Sequence, residues 1–390
     1  MKFLSVLTAL ASVCAASPVA LSDANANANA GNGHAVATAS TNAPSDNPRL
    51  IVYFQTTHDK QGNPISMLPL VKEKGIALTH LIACSFHINK DSEIHLNDYP
   101  PSDARFKTLW KEADTLKQSG VKIMGMIGGA AAGSFDSNTL DGSQANFDKY
   151  YGQLRDIIRN FKLEGMDLDV EQSMSQSGIN RLVEALYNDF GSNFLITLAP
   201  VASALRGGAN LSGFDYSTLD DNEGSKIAFY NAQFYSGFGS MSTTSDYDRI
   251  VSNGFDASRV IAGQLTAPAN GYGYTPYSQL NKTVISLRDK YGQIGGVMGW
   301  EYFNSSPGGT DKPWQWAQIM TQILRPGLTP KIKMTRADAK ALTDAYYESQ
   351  AAASADADAD SADSADAERT NFKSAAVKKP VVDYYQWVNA

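Results

Sequence analysis

Asp167, Asp169 and Glu171 stand two residues apart in the stretch EGMDLDVEQ, with Met166, Leu168 and Val170 between them. In an extended strand this alternation sends the three acids to one face and the apolar residues to the other. Carboxyls crowded on a buried face are costly to desolvate unless they are hydrogen-bonded, partly wetted or sharing protons. They should titrate as a coupled set with at least one pKa raised. A carboxyl kept protonated in this way can give its proton to a leaving group. The competing reading is a structural network of buried acids paired with basic residues elsewhere.

Such a ladder needs a scaffold, and the middle of the chain repeats one unit: a short apolar run, a polar loop, an amphipathic helix. The runs are LIVYFQ, LTHLIACSF, VKIMGMIGG, EGMDLDVE, NFLITLAP, KIAFYNAQFY, RVIAGQLTA and GGVMGWEYF. Gly75, Gly120, Gly191, Gly254 and Gly292 each follow a helical pattern and precede a run, as glycines at helix C-caps do. Thr275 and Pro276 predict a cap and a first-turn proline for the helix YSQLNKTVISLRDKY. Short helix-to-strand connections require parallel strands, and eight units predict a single (β/α)8 TIM barrel over residues 49–350. A doubly wound open sheet is the alternative, but it offers no natural home for the acids. In a barrel the acids point inward and Glu171 lies at the carboxyl end of its strand, where barrel active sites sit.

With that scaffold in place, EGMDLDVE resembles the signature of glycoside hydrolase family 18, the chitinases and endo-β-N-acetylglucosaminidases, written D-G-x-D-x-D-x-E at the end of the fourth barrel strand. MIGG after the third strand is similar to the family's S-x-G-G. QFY ends the sixth strand where the family carries its catalytic tyrosine, and GGVMGWEYF on the eighth holds the family's tryptophan. Two positions depart from the pattern: Glu164 stands for the first Asp, and Met126 for the Ser.

The resemblance implies a retaining mechanism without an enzymic nucleophile. Glu171 protonates the glycosidic oxygen and later deprotonates water. Asp169 holds the substrate's own 2-acetamido group, whose carbonyl oxygen attacks the anomeric carbon to give an oxazolinium, and Asp167 buffers Asp169. Tyr235 donates its hydroxyl to the acetamido oxygen, and Gln233, on the same face of its strand, contacts the same sugar. Trp300 forms the floor under that sugar. Tyr53 and Tyr302 are divided between core and substrate-binding readings, and Gly128 and Gly129 let backbone approach sugar. No cofactor and no metal is implied. His34, His58, His80, His87 and His95 lack metal-ligand spacing, and His87 and His95 fall beyond the second strand, at the cleft or on a solvated loop.

Both chitin and the chitobiose core of N-glycans contain β-1,4-linked N-acetylglucosamine. The stretch from Ala267 to Ile294 has room for one loop and one helix, without the inserted domain of many processive chitinases. LIVYFQTTHD, CSFHIN, NAQFYSGFGS and GWEYFNS are similar to secreted fungal endo-β-N-acetylglucosaminidases, which implies N-glycans, chiefly high-mannose, as substrate and one N-acetylglucosamine left on asparagine. A small secreted chitinase is the alternative, and a catalytically inactive glycan-binding barrel a third reading, set against the presence of Glu171. Phe238, Tyr272 and Tyr274 are candidate platforms in the loops that select glycan branches.

The ends stand outside this scheme. Residues 1–16 have the n-region, apolar stretch and small residues at the cleavage site of a signal peptide, so the protein is expected to be secreted. Residues 17–48 read as a disordered leader or propeptide, and residues 351–390 as a low-complexity acidic tail with aromatics at its end. Sequons at Asn210, Asn281 and Asn304 make the chain a candidate glycoprotein. A formal net charge of -7, much of it in the tail, argues against nucleic acid and membrane as partners. The protein is expected to act as a monomer. Its two cysteines, Cys14 and Cys84, leave no intrachain disulfide once the signal is removed.

Overall fold

The computed structural model describes residues 48–89, 92–326 and 340. The expected signal peptide, leader and tail lie outside the described residues, as does almost all of the barrel's expected last stretch, 327–350. Among the described residues there are nine strands and eight α-helices. In chain order they are β1 (Arg49–Phe54), α1 (Pro69–Lys72), β2 (His80–Ile88), β3 (Ile94–Leu96), α2 (Lys107–Gln118), β4 (Lys122–Gly128), α3 (Gln144–Asn160) and β5 (Gly165–Asp169). Then follow α4 (Gln176–Phe190), β6 (Leu195–Leu198), α5 (Tyr216–Glu223), β7 (Ile227–Gln233), α6 (Ser245–Ser252), β8 (Val260–Leu265), α7 (Tyr277–Tyr291), β9 (Gly296–Trp300) and α8 (Gln315–Leu324).

The eight expected runs form β1, β2 and β4 to β9, all parallel. β1 pairs with β2 on one side and β9 on the other, so the sheet closes. Helices cover it through one apolar stripe each. In α4 the buried Ile179, Leu182, Val183 and Leu186 follow helical spacing, and Ser175 caps the start by accepting a hydrogen bond from the Gly178 N–H. All five expected terminator glycines have positive φ, and Gly191 and Gly292 are the C-cap residues of α4 and α7.

Two local expectations are corrected. Helix α7 begins at Tyr277, with Pro276 itself at the N-cap in an extended conformation and no side-chain cap; Thr275 sits one position too early for its hydroxyl to reach the first turn. His87 and His95 lie neither in a solvated loop nor beyond regular structure. β2 runs on to Ile88 and turns back through β3, an antiparallel addition that sets His87 opposite His95.

The barrel interior is layered. At the amino end the Arg49 guanidinium lies 4.6 Å from the centre of the Phe229 ring, and buried His80 meets the same ring edge-on at 5.3 Å. Burial, with Arg49 and Lys122 nearby, depresses the His80 pKa and keeps it neutral. Above this plug comes a polar layer of Tyr53, Asp167, Thr197 and Asn231, and above that the carboxyl ends of the strands.

Candidate active site

The alternation in β5 does what the sequence predicts. Met166 and Leu168 are buried outside the barrel wall, while Asp167 and Asp169 point inward and are buried too. The strand ends at Asp169, so Glu171 lies just past the carboxyl end, partly exposed.

Asp167 is held by three neutral donors from three other strands. Tyr53 Oη of β1 and Thr197 Oγ1 of β6 (2.5 Å) donate to it, as does Asn231 Nδ2 of β7 (3.0 Å). Burial pushes its pKa up, while these hydrogen bonds favour the carboxylate and pull the other way. Asp169 has no comparable set. Burial and the charges of Glu171 and Asp167 raise its pKa well above the usual carboxylate range, and it shares a hydrogen bond with Glu171 in which Asp169 carries the proton. The Glu171 pKa is also raised by burial, against the pull of Gln233 and Asp169. Gln233 Nε2 ties the pair together, donating to Asp169 Oδ1 (3.2 Å), Glu171 Oε1 (3.1 Å) and the Ala199 carbonyl (2.9 Å). Buried Asp169 and half-buried Glu171 are thus joined through Gln233 at the mouth of the barrel, both with raised pKa values.

Two further donors face this region. Tyr235 Oη and Trp300 Nε1 are buried, and neither has a hydrogen-bond partner among the described residues. Tyr235 lies within electrostatic reach of all three acids, which with burial raises its pKa and keeps the phenol protonated. The Trp300 ring packs against Tyr53 at 5.8 Å, linking it to the polar layer. A buried donor with no protein acceptor is the arrangement expected where substrate supplies one. Among the described residues no group of three His, Cys, Asp or Glu side chains is placed to ligate a metal ion.

The remaining sequence candidates separate. Tyr53 belongs to the polar layer under the site. Tyr302 packs edge-on against Phe54 and donates to the Ser66 carbonyl (3.1 Å), on the far side of β1 from the carboxylates. The close approach made by Gly128 and Gly129 is to Asp169 itself: the Gly129 N–H donates to the Asp169 carbonyl at 2.9 Å, and a Cβ on Gly128 would stand 2.2 Å from that oxygen. Of the sequons, Asn210 is exposed on the loop after β6, Asn281 is half-buried within α7, and Asn304 donates through Nδ2 to buried Asn270.

Sequence reasoning missed three residues. Asn231 was within reach, because it alternates with Gln233 and Tyr235 on one face of β7; Thr197 stands alone in an apolar run and gives no such signal. Glu301, next to Trp300, is fully buried. It accepts from the Gln55 N–H (3.2 Å), the Thr56 N–H (2.8 Å) and Thr56 Oγ1 (2.6 Å), and burial pushes its pKa up to about 7.

Comparison with known proteins follows the same lines. A solved structure described as a fungal endo-β-N-acetylglucosaminidase from glycosyl hydrolase family 18 is 67% identical, over 72% of this chain and 99% of that one, with a TM-score of 0.71. The structure of the chitinase ChiC from Aspergillus fumigatus is 48% identical, over 70% of this chain and 97% of that one, with a TM-score of 0.63. Among characterised sequences, Chitinase 2 of Rhizopus oligosporus is 30% identical over 47% of this chain, which spans only 34% of that protein's length. The sequence model of the glycosyl hydrolases family 18 matches residues 49–319, the barrel with its acids, and the chain belongs to that family.

Proposed function

We propose that this glycoside hydrolase is a secreted endo-β-N-acetylglucosaminidase that cuts the chitobiose core of N-glycans, chiefly high-mannose, and leaves one N-acetylglucosamine on asparagine. The observation that carries the mechanism is the inward Asp169 and the adjacent Glu171 at the carboxyl end of β5, both bonded by Gln233 Nε2 at 3.2 and 3.1 Å, with the buried Tyr235 hydroxyl unpartnered among the described residues. As a glycosidic oxygen approaches, the proton passes through Glu171 to the leaving group. Asp169 is left as a carboxylate, and its charge stabilises the positive acetamido nitrogen as the carbonyl oxygen closes on the anomeric carbon. Tyr235 donates to that carbonyl oxygen and orients it. Glu171, now ionised, removes a proton from the water that opens the oxazolinium, so the anomeric configuration is retained.

The substrate reading rests on the identity to the fungal endo-β-N-acetylglucosaminidase. The chitinase reading has its own support in the likeness to ChiC and to the Rhizopus protein. Secretion rests on the pattern of residues 1–16. The deciding experiment is mass spectrometry of a high-mannose glycoprotein after incubation with the protein, beside Glu171→Gln and a chitin-oligosaccharide assay. A single N-acetylglucosamine left on asparagine, lost with Glu171→Gln by a factor of about 10²–10⁴, is the expected result. Intact glycoprotein with shortened chitin oligomers would assign the chitinase reading instead.

A further inference from the structure

Glu171 stands just past the point where the sheet stops holding the chain. On the β4 side the last residues in register are Gly128 and Asp169, and on the β6 side Leu198 and Leu168. Catalytic groups must be held to within about 0.5 Å of their working geometry, so the residues after Asp169 need another support. Loops on both sides supply it. Ser212, buried in the loop after β6, donates through Oγ to the Val170 carbonyl at 2.6 Å, and its own carbonyl accepts from the Met174 N–H at 2.9 Å. Asp141, in the loop after β4, accepts from the Ser175 N–H (2.8 Å) and from Ser175 Oγ (2.5 Å), which fixes the start of α4.

Between these anchors lies Gln172, the half-buried neighbour of Glu171. The two side chains leave the main chain toward different elements. Glu171 Oε1 accepts from Gln233 at the end of β7, while Gln172 Oε1 accepts from the Gly133 N–H at 2.7 Å and, more loosely, from the Phe135 N–H at 3.4 Å. Holding one therefore sets the direction of the other. The loop that holds Gln172 is itself tied to two strands. Ser134 Oγ accepts from the Ile88 N–H at the end of β2 (3.2 Å), and Thr139 Oγ1 donates to the Gly133 carbonyl (2.8 Å). The buried Phe135 ring lies against Gly128 at the end of β4, its Cε2 2.5 Å from where a Cβ would stand. A short bond to so fixed a donor carries the positions of β2 and β4 to the residue beside the acid.

We propose that Gln172 is a positioning residue for the general acid: its bond to the Gly133 N–H aims the Glu171 carboxyl at the oxygen of the leaving group. This role rests on the reading of Glu171 as proton donor, whichever of the two substrates is cut. Loss of the bond leaves Asp169, Tyr235 and the binding of the sugar as they are, and spoils only the transfer of the proton.

The test compares two leaving groups on one donor sugar, in the full chain. N-acetylglucosamine needs a proton to leave, whereas 4-nitrophenolate leaves without one. The donor is oligomannosyl-N-acetylglucosamine or chitobiose, as wild-type turnover decides. Glu171→Gln is the reference: its kcat/KM should fall by a factor of about 10²–10⁴ with the sugar leaving group and far less with nitrophenolate. Equal losses in Glu171→Gln would overturn the donor reading, and this role with it. Gln172→Met has the same length and no acceptor oxygen. Its kcat should fall about tenfold with the sugar leaving group, at unchanged KM, and less than about twofold with nitrophenolate. Gln172→Glu, which offers an oxygen to the same two N–H groups, should restore most of the loss. Partial unfolding lowers both rates alike, so their ratio separates aim from stability. Where Glu171→Gln behaves as the donor, three results in Gln172→Met overturn the proposal: equal losses on the two leaving groups, a rise in KM common to both, or a ratio that stays at the wild-type value.

Discussion

The raised pKa of Asp169 depends in part on the charge of a third acid below it. Asp167 lies deepest, and Tyr53, Thr197 and Asn231 favour its charged form against the pull of burial. That charge is one of the causes that raise Asp169. Tyr53→Phe removes a donor from the carboxylate, so Asp167 takes up a proton more readily and its repulsion of Asp169 weakens. The Asp169–Glu171 pair then releases its proton at lower pH. The alkaline limb of the kcat/KM profile should move toward acid, with activity at neutral pH reduced, and an unmoved limb would show that Asp167 exerts no control. The acids themselves were legible in the sequence because strand alternation is local. Thr197 and Asn231 were not singled out, because their meaning comes from pairing between strands: Thr197 of β6 stands in register with Asp167, and β7 lies one strand beyond.

Strand ends, more than loops, place the chemistry. β4 approaches β5 so closely at its carboxyl end that only glycine fits: Gly128 has φ +106, and a side chain there would collide with the Asp169 carbonyl. Gly128→Ala should therefore cost about 3 kcal/mol of stability, by strained backbone plus overlap, and should also displace Asp169. Denaturant melts and kcat on the same sample check both halves, and a variant of wild-type stability would refute the packing argument. The hairpin of β2 and β3 works from the other side. Asn97, just past β3, accepts from the Ser85 N–H (3.2 Å) and donates to the Gln55 carbonyl (3.0 Å), joining the chain after β1 to β2. β3 escaped the sequence reading because it is three residues long and interrupts a pattern tuned to parallel strands and helices. The eight barrel strands were readable because each lies in a short, largely apolar run set between helical patterns.

Over the whole molecule, the buried acids make the fold more stable in mild acid than at neutrality. Asp167, Asp169, Glu171 and Glu301 all have raised pKa values in the folded protein, so the folded state binds protons that the unfolded chain has already released. The stability they contribute is fully present below the ordinary carboxylate range and is lost as pH rises through the folded values, for Glu301 through about 7. Ionising Glu301 alone, lifted from 4.5 to about 7 and fully buried, costs roughly 3 kcal/mol above that pH. The thermal midpoint should accordingly fall between pH 5 and pH 8, and Glu301→Gln, which cannot ionise, should flatten the fall. A midpoint that climbs over that interval would contradict the assignment. Helix stripes, barrel closure and the acid ladder all favour one architecture, with the conflict between burial and charge confined to the site.

Cys84 is fully buried in β2 and is the only cysteine among the described residues. The barrel therefore owes none of its folding to an oxidant, and a thiol reagent has nothing in it to open. Glycoproteins that are held together by cystine bridges have the opposite character. Under the proposed function such a glycoprotein, as substrate, loosens in a reducing solution and uncovers glycans packed against its surface, while the hydrolase keeps its shape. Added dithiothreitol should leave the enzyme's rate on a free oligosaccharide unchanged and raise its rate on a cystine-bridged glycoprotein.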